Sequence, residues 1–240
     1  MNDATIRTLN AINQRFYATV AAEFDATRQT PWQGWEQVAE IMRAGLRPAP
    51  TEIRVLDVGC GNGRFGVFLA ARLGNDGLHY HGIDSSAALL DRARLALADI
   101  DATFEQRDLV EQPLDNTLGQ FDFVVLFGVL HHVPGADRRL DLLRTLADHV
   151  ADGGSLAFSE WRFYEEPKLR ERIIAWDNDI QVEAGDYLLD WRRGETAIRY
   201  CHYVDDAEHT RLVRATGLSV EAEYRADAAN LYTVLKHPQS

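Results

Sequence analysis

Nine consecutive residues, Val55-Leu-Asp-Val-Gly-Cys-Gly-Asn-Gly63, hold the densest chemistry in this chain. Gly59, Gly61 and Gly63 alternate with side-chain-bearing residues, and a backbone without Cβ atoms can approach a bound molecule closely. Asp57 sets a carboxylate at the start of the turn. A second, Asp84, follows 21 residues after Gly63 in His81-Gly-Ile-Asp84, and a third, Asp108, stands in Arg107-Asp108-Leu109. Such carboxylates can accept charge-assisted hydrogen bonds from ribose hydroxyls. Gly61-Asn-Gly-Arg-Phe-Gly66 also satisfies G-x-G-x-x-G, so a nicotinamide-dinucleotide oxidoreductase is one reading. A pyrophosphate, however, favours a helix N-terminus with no carboxylate beside it, whereas Asp57 suits a ligand that carries positive charge. His131, His132 and His202 are candidate general bases.

These residues need a sheet to hold them. Apolar residues around Asp57 read as a buried strand, and the run from Phe65 to Leu73 has helical spacing, so the glycine turn delivers the chain into a helix N-terminus. From Ile53 onward the pattern alternates. Strands are predicted over 53–58, 78–83, 102–107, 121–127 and 155–160, with helices over 64–73, 86–98 and 137–150. Ser85 and Ser86 are natural N-caps for the second helix, and Ala151-Asp-Gly-Gly154 reads as the turn that ends the third. Alternation of this kind predicts an α/β fold, a parallel sheet with helices on both faces. After a helix over 205–216, strands over 218–224 and 230–236 leave no room for a helix between them. They must form a hairpin, so the last strand runs antiparallel to its neighbour.

Upstream, Ile6, Leu9, Ile12, Phe16, Val20 and Phe24 mark an amphipathic helix over 3–24, and Trp35, Val38, Ile41 and Met42 a second one. Residues 161–203 fit no alternation. They hold Trp161, Trp176 and Trp191 with Arg162, Arg170, Arg172, Arg192, Arg193 and Arg199. An insert there lies beside the carboxyl ends of the strands, where open α/β sheets bind ligands, so it reads as a substrate lid. The competing expectation is a helical insert that packs its aromatics in the core. One domain is expected: a helical cap (1–50), a nucleotide-binding core (51–160), the insert (161–203), and a closing helix and hairpin (204–240).

The pattern Asp57-x-Gly59-x-Gly61-x-Gly63 resembles motif I of the class I S-adenosylmethionine (SAM) methyltransferases. The run Phe121-Asp-Phe-Val-Val-Leu-Phe-Gly-Val-Leu-His-His-Val-Pro134 resembles their motif IV, in the version ending Leu-His-His. The resemblance implies a Rossmann-like fold with a seven-stranded, mostly parallel sheet and an antiparallel last strand. It also implies SAM as cofactor and S-adenosylhomocysteine as product. By the same resemblance Asp84 meets the ribose, Asp108 the adenine amino group, Arg28 the SAM carboxylate, and Tyr17 the region of the methyl group. Asp57, Gly59, Cys60, Gly61, Asn62, Gly63, Ser85, Leu109 and Phe127 complete the expected cofactor site.

A narrower resemblance reaches beyond the core. Phe24, Thr27, Arg28, Pro31 and Trp32 resemble the Phe-x-x-Thr-Arg-x-x-Pro-Trp segment of the tRNA wobble-uridine carboxymethyl methyltransferases, with one extra residue at Phe24. Leu188-Leu-Asp-Trp191, Arg199-Tyr-Cys-His-Tyr203 and Ala228-Ala-Asn-Leu-Tyr232 resemble the C-terminal segments of that family. This implies methyl esterification of a carboxymethyl group on tRNA, with a small zinc-binding partner protein in eukaryotic members. Trp161, Arg162, Arg199 and Tyr203 are the candidate substrate residues. A carboxylate acceptor, with a pKa of about 4, is ionised at neutral pH and needs no general base. Lid arginines or Arg28 could hold it in bidentate fashion. A phenol, alcohol or amine acceptor would need one of the three histidines.

Bulk properties narrow the classes further. A formal charge of −12 weighs against a general nucleic-acid binder, which gains affinity by neutralising phosphates. That charge favours a small-molecule acceptor as the alternative to tRNA. Two cysteines, Cys60 and Cys201, form no disulfide framework and suggest a reducing, cytoplasmic setting. No apolar run approaches the ~18 residues of a membrane span, and no metal site is expected.

Overall fold

The structure, a computed structural model, describes residues 1–26, 30–45, 52–176, 180–193 and 195–238. Strand β1 (Ile53–Val58) lies between β2 (Leu78–Asp84) and β4 (Phe121–Leu126), parallel to both; β3 (Asp101–Gln106) pairs parallel with β2, and β5 (Val150–Trp161) with β4. Strand β10 (Asn230–Lys236) is antiparallel to both β5 and β9 (Ser219–Ala226). The sheet therefore runs β3-β2-β1-β4-β5-β10-β9, seven strands with the expected closing hairpin. Asp227 and Ala228, at φ 53° and 65°, turn that hairpin with two left-handed residues, the twist that tight hairpins favour.

Successive residues of a strand face opposite sides. Val55 buries beneath α3 (Arg64–Leu73) and α4 (Ala87–Ala96) with Leu69, Tyr80 and Leu90. Leu56 buries on the other side with Val124, Leu143 and Leu212, under α5 (Ala136–Asp148) and α7 (Asp206–Ala215). Helix α2 (Gly34–Gly45) joins the first of these layers through Trp35, Val38 and Met42. Ser86 caps α4, its side chain accepting the Leu89 N–H. One turn is corrected: α5 ends at Asp148, and residues 151–154 belong to the irregular start of β5, where the register against β4 shifts.

Among its described residues the insert is mainly strand, not helix. Beyond the one-turn α6 (Pro167–Arg170), it forms a second, antiparallel sheet in the order β6-β7-β8, with β6 (Ile173–Ile174), β7 (Asp186–Arg193) and β8 (Glu195–His202). Helix α1 (Asp3–Ala26) spends its apolar stripe on this sheet. Leu9 packs with Leu188 and Tyr200, and Phe16 and Val20 pack with Trp191. Strand β8 is an edge of its sheet, so α1 covers what would otherwise be an open flank.

A buried ionic chain fastens the insert to the core. Arg139 of α5 donates to Glu208 (2.7 Å) and Glu183 (3.0 Å), Glu208 accepts from His202 (2.7 Å), and His202 bonds Asp186 (2.7 Å). Burial resists charge on His202, yet hydrogen bonds to Asp186 and Glu208 raise its pKa above the usual imidazole value. No helix among the described residues is long and apolar enough to cross a membrane.

Candidate functional site

At the carboxyl ends of β1, β2 and β4 lies a cavity of about 320 Å³, walled on its far side by α1 and β8. The glycine turn shapes its floor. The Gly59 and Cys60 N–H groups both donate to the Ile83 carbonyl, at 2.7 and 3.0 Å, which folds the turn over the end of β2. A Cβ on Gly59 would stand 2.0 Å from Val129 Cγ2, so this position is closed by packing. A Cβ on Gly61 would meet nothing within 4 Å, so this position opens into the cavity. Gly63 serves differently from the expectation. It does not line the cavity, and a Cβ there would press Ala93 and Leu97 at 3.0 Å, so it lets α3 approach α4.

Asp84 accepts the Gly61 N–H and the Ser86 N–H, each at 2.8 Å, which fixes its carboxylate at the cavity wall. Burial raises its pKa, and the amides of Ser86 and Gly61 oppose that shift. Asp57 is 2% exposed and accepts the Tyr80 hydroxyl. Burial drives its carboxyl up to about 7, with Tyr80 opposing and the nearby Asp84 adding to the rise. Two acids so placed favour a cationic ligand.

Asp108 lines the cavity, as expected, and it also holds α1. One carboxylate oxygen accepts from Asn10 (3.0 Å) and Gln14 (2.7 Å) of α1, and the other from the Val110 and Glu111 amides. Burial opposes its ionisation, but these donors hold its pKa below the usual carboxylate range. In this arrangement Asp108 clasps α1 over the cavity.

Tyr17, Cys60, Asn62, Ser85, Leu109 and Phe127 all line the cavity; Arg28 lies outside the described residues. His131, His132, Trp161 and Arg199 line it as well. The structure takes His202 out of consideration as a base, since both its nitrogens are tied into the buried ionic chain away from the cavity. Arg162 is withdrawn too: Glu160, Glu165 and Asp206 surround its guanidinium at 3.4, 3.6 and 2.9 Å. Tyr203 donates to Glu165 on the outer side of the insert.

Arg199 stands apart from those groups. It is 7% exposed, and no hydrogen bond or ion pair reaches it among the described residues. Its guanidinium carbon lies 4.4 Å from the centroid of the Trp161 ring and 5.5 Å from that of Phe16. Sequence reasoning named Tyr17 but missed the rest of the polar stripe of α1 to which it belongs. Asn10, Asn13, Gln14 and Tyr17, at helical spacing, all face the cavity, and the two asparagines are 5% exposed. Asn10 and Asn13, set beside the apolar stripe of Leu9, Ile12 and Phe16, were the available signal.

A methyltransferase-domain family matches residues 56–156, from β1 into β5. The mouse tRNA (carboxymethyluridine(34)-5-O)-methyltransferase ALKBH8 is 30% identical over 155 residues, 63% of this chain, and the chain spans only 20% of its length. The enzyme of the same name from Schizosaccharomyces pombe is 22% identical over 239 residues, covering 94% of this chain and 96% of its own. The 27-O-demethylrifamycin SV methyltransferase of Amycolatopsis mediterranei is 34% identical over 128 residues, 52% of this chain and 44% of its own. Among solved structures, the SAM-bound aminopentose methyltransferase CalS10 from Micromonospora echinaspora superposes with a TM-score of 0.63. It is 21% identical, with 90% of this chain and 96% of that one covered. Glycine floor, paired acids, strand order and sequence likeness converge: the chain carries a methyltransferase domain with the class I SAM-dependent fold, and it is similar to the tRNA carboxymethyluridine methyltransferases.

Proposed function

We propose that this chain moves the SAM methyl group onto a carboxylate oxygen of a carboxymethylated wobble uridine in tRNA, forming a methyl ester. The observation that carries the carboxylate is Arg199, a buried cation on the cavity wall whose Nε has no hydrogen-bond partner and which meets no carboxylate among the described residues. A buried charge is costly unless paired, so an anionic ligand completes this site. The tRNA half is supported by likeness to enzymes named for that reaction, which in S. pombe runs through the insert. Bound SAM supplies a methyl group already activated by its sulfonium. The protein then has to align the acceptor oxygen and keep water out. Arg199 orients the carboxylate, Trp161 and Phe16 hold the guanidinium plane, and α1 with β8 closes the wall.

The formal charge of −12 favours a second reading, in which the acceptor is a small carboxylic acid. Under the tRNA reading a partner protein, such as a small zinc-binding activator, would contribute positive surface. Incubation with SAM and either carboxymethyluridine-containing tRNA or a metabolite extract separates the two. Mass spectrometry shows which fraction gains a methylene. A tRNA left unmodified, with the activator supplied, overturns the tRNA assignment.

A further inference from the structure

Strand β8 is an edge of the second sheet, and the backbone of Tyr200 lies on its open side. Neither polar group of that residue is left to water. Its N–H donates to Asn13 Oδ1 at 2.9 Å, and its carbonyl lies 3.1 Å from His132 Nδ1. Tyr200 is fully buried and Asn13 is 5% exposed, so these contacts stand in for a missing neighbouring strand. The opposite nitrogen of the same ring, Nε2, is 2.8 Å from the Tyr17 hydroxyl. Tyr17 and His132 both line the SAM cavity.

We infer that the open edge of β8 fixes the His132 tautomer and thereby makes Tyr17 a hydrogen-bond acceptor toward the positive end of the methyl donor. A buried carbonyl that loses its donor is costly, so Nδ1 must carry the proton to satisfy Tyr200. Nε2 is then a bare acceptor, and the only proton between the two rings is the one on Tyr17. Tyr17 donates that hydrogen to His132 in a hydrogen bond and turns lone pairs, not a hydrogen, toward the cavity. Asn13 Nδ2, 3.2 Å from Nδ1, would favour the reverse tautomer by donating to it. Its amide is a weaker claimant, because releasing it strands no backbone group, whereas releasing the carbonyl does.

His132 is by this account a positioning residue. With a proton on Nδ1 and the Nε2 lone pair taken up by the Tyr17 hydroxyl, it has no vacancy for an acceptor's proton. An electron-rich oxygen distinguishes a sulfonium from a neutral thioether, so the pair serves preference for SAM over S-adenosylhomocysteine. Resting on the SAM site and not on the tRNA reading, the pair can be tested without any acceptor.

Two measurements decide the matter. Long-range proton–nitrogen NMR on 15N-histidine-labelled protein reads the tautomer directly, and the His132 ring should carry its proton on Nδ1. Calorimetry with SAM and with S-adenosylhomocysteine reads the affinity ratio. Tyr17→Phe and His132→Asn should each shift that ratio about tenfold against SAM, the size of one hydrogen bond to a charged group, with adenosylhomocysteine affinity unchanged. His132→Gln, whose side-chain oxygen can still accept from Tyr17, should restore most of the preference. A ring protonated on Nε2, or a ratio unmoved in Tyr17→Phe, overturns the inference. Loss of adenosylhomocysteine binding in both Tyr17→Phe and His132→Gln would do so too, because the residues would then be shaping the whole cavity. If the tRNA stays unmodified while these results hold, only the acceptor assignment falls.

Discussion

Replacing Arg199 with methionine should make the protein more stable and a worse enzyme. Removing an ion of this size from water costs several kcal/mol even after relaxation. Its only compensation among the described residues is the pair of rings, Trp161 at 4.4 Å and Phe16 at 5.5 Å. Desolvated cation–π contacts return about 2 kcal/mol. Methionine keeps the unbranched reach and the contact with aromatic faces while discarding the charge. The net expectation for Arg199→Met is a gain of about 1–3 kcal/mol, read as a higher urea midpoint with an unchanged slope. Truncating one partner of a buried charged pair costs about 2–5 kcal/mol, so kcat/KM for a carboxylate acceptor should fall roughly 30-fold or more. Affinity for S-adenosylhomocysteine should not move. A variant that is destabilised yet turns over the acceptor normally would refute the reasoning, because Arg199 would then be a packing residue.

Three further outcomes follow from the same geometry. Gly61→Ala should fold with about 1–2 kcal/mol of backbone strain, from φ +56°, and lose donor affinity in calorimetry, whereas Gly59→Ala should fail to fold because its methyl meets Val129. Burial raises the Asp57 pKa from 3.8 to about 7, so the folded chain retains a proton that the unfolded chain releases. Stability should therefore decline as pH rises from 4 to 7, by up to roughly 4 kcal/mol, and Asp57→Asn should flatten that slope in urea titrations. His209, bonded first to Glu160 and then to Glu223, is raised to about 8, so its contribution is full below pH 6.5 and lost as pH passes 8. His209→Gln should remove about 2 kcal/mol of stability at pH 6 and far less at pH 9.

The main sheet was legible because its central strands β1, β4 and β5 are largely buried on both faces and its helices keep a 3.6-residue period, so the two patterns alternate without ambiguity. Helix α3 falls on the expected residues 64–73, and the hairpin follows from the short spacing between β9 and β10. The second sheet was hidden for a physical reason. Leu188 and Leu189 are adjacent and both buried, one under α1 and the other against Phe163 and Cys201, so β7 shows no polar face to alternate with. Nor could helical periodicity say which partner α1 would choose, since an apolar stripe specifies burial but not the surface that provides it.

The cofactor half of the site and the acceptor half differ in the same way. Asp57, the glycine floor and Asp84 are set by two neighbouring strands, whose spacing is written locally. The opposite wall joins Asn13 to Tyr200, 187 residues apart, and Tyr17 to His132, 115 apart. Composition made Arg162 and Arg199 equal candidates, and only tertiary placement separates them. Arg162 is met by Glu160, Glu165 and Asp206, which balance its charge within the fold, while no acid among the described residues forms an ion pair with Arg199. A buried arginine with its own carboxylates is finished as a structural element. One without them is completed only by what binds, and this makes the absence of a protein counter-ion, rather than the presence of an arginine, the informative feature of the acceptor wall.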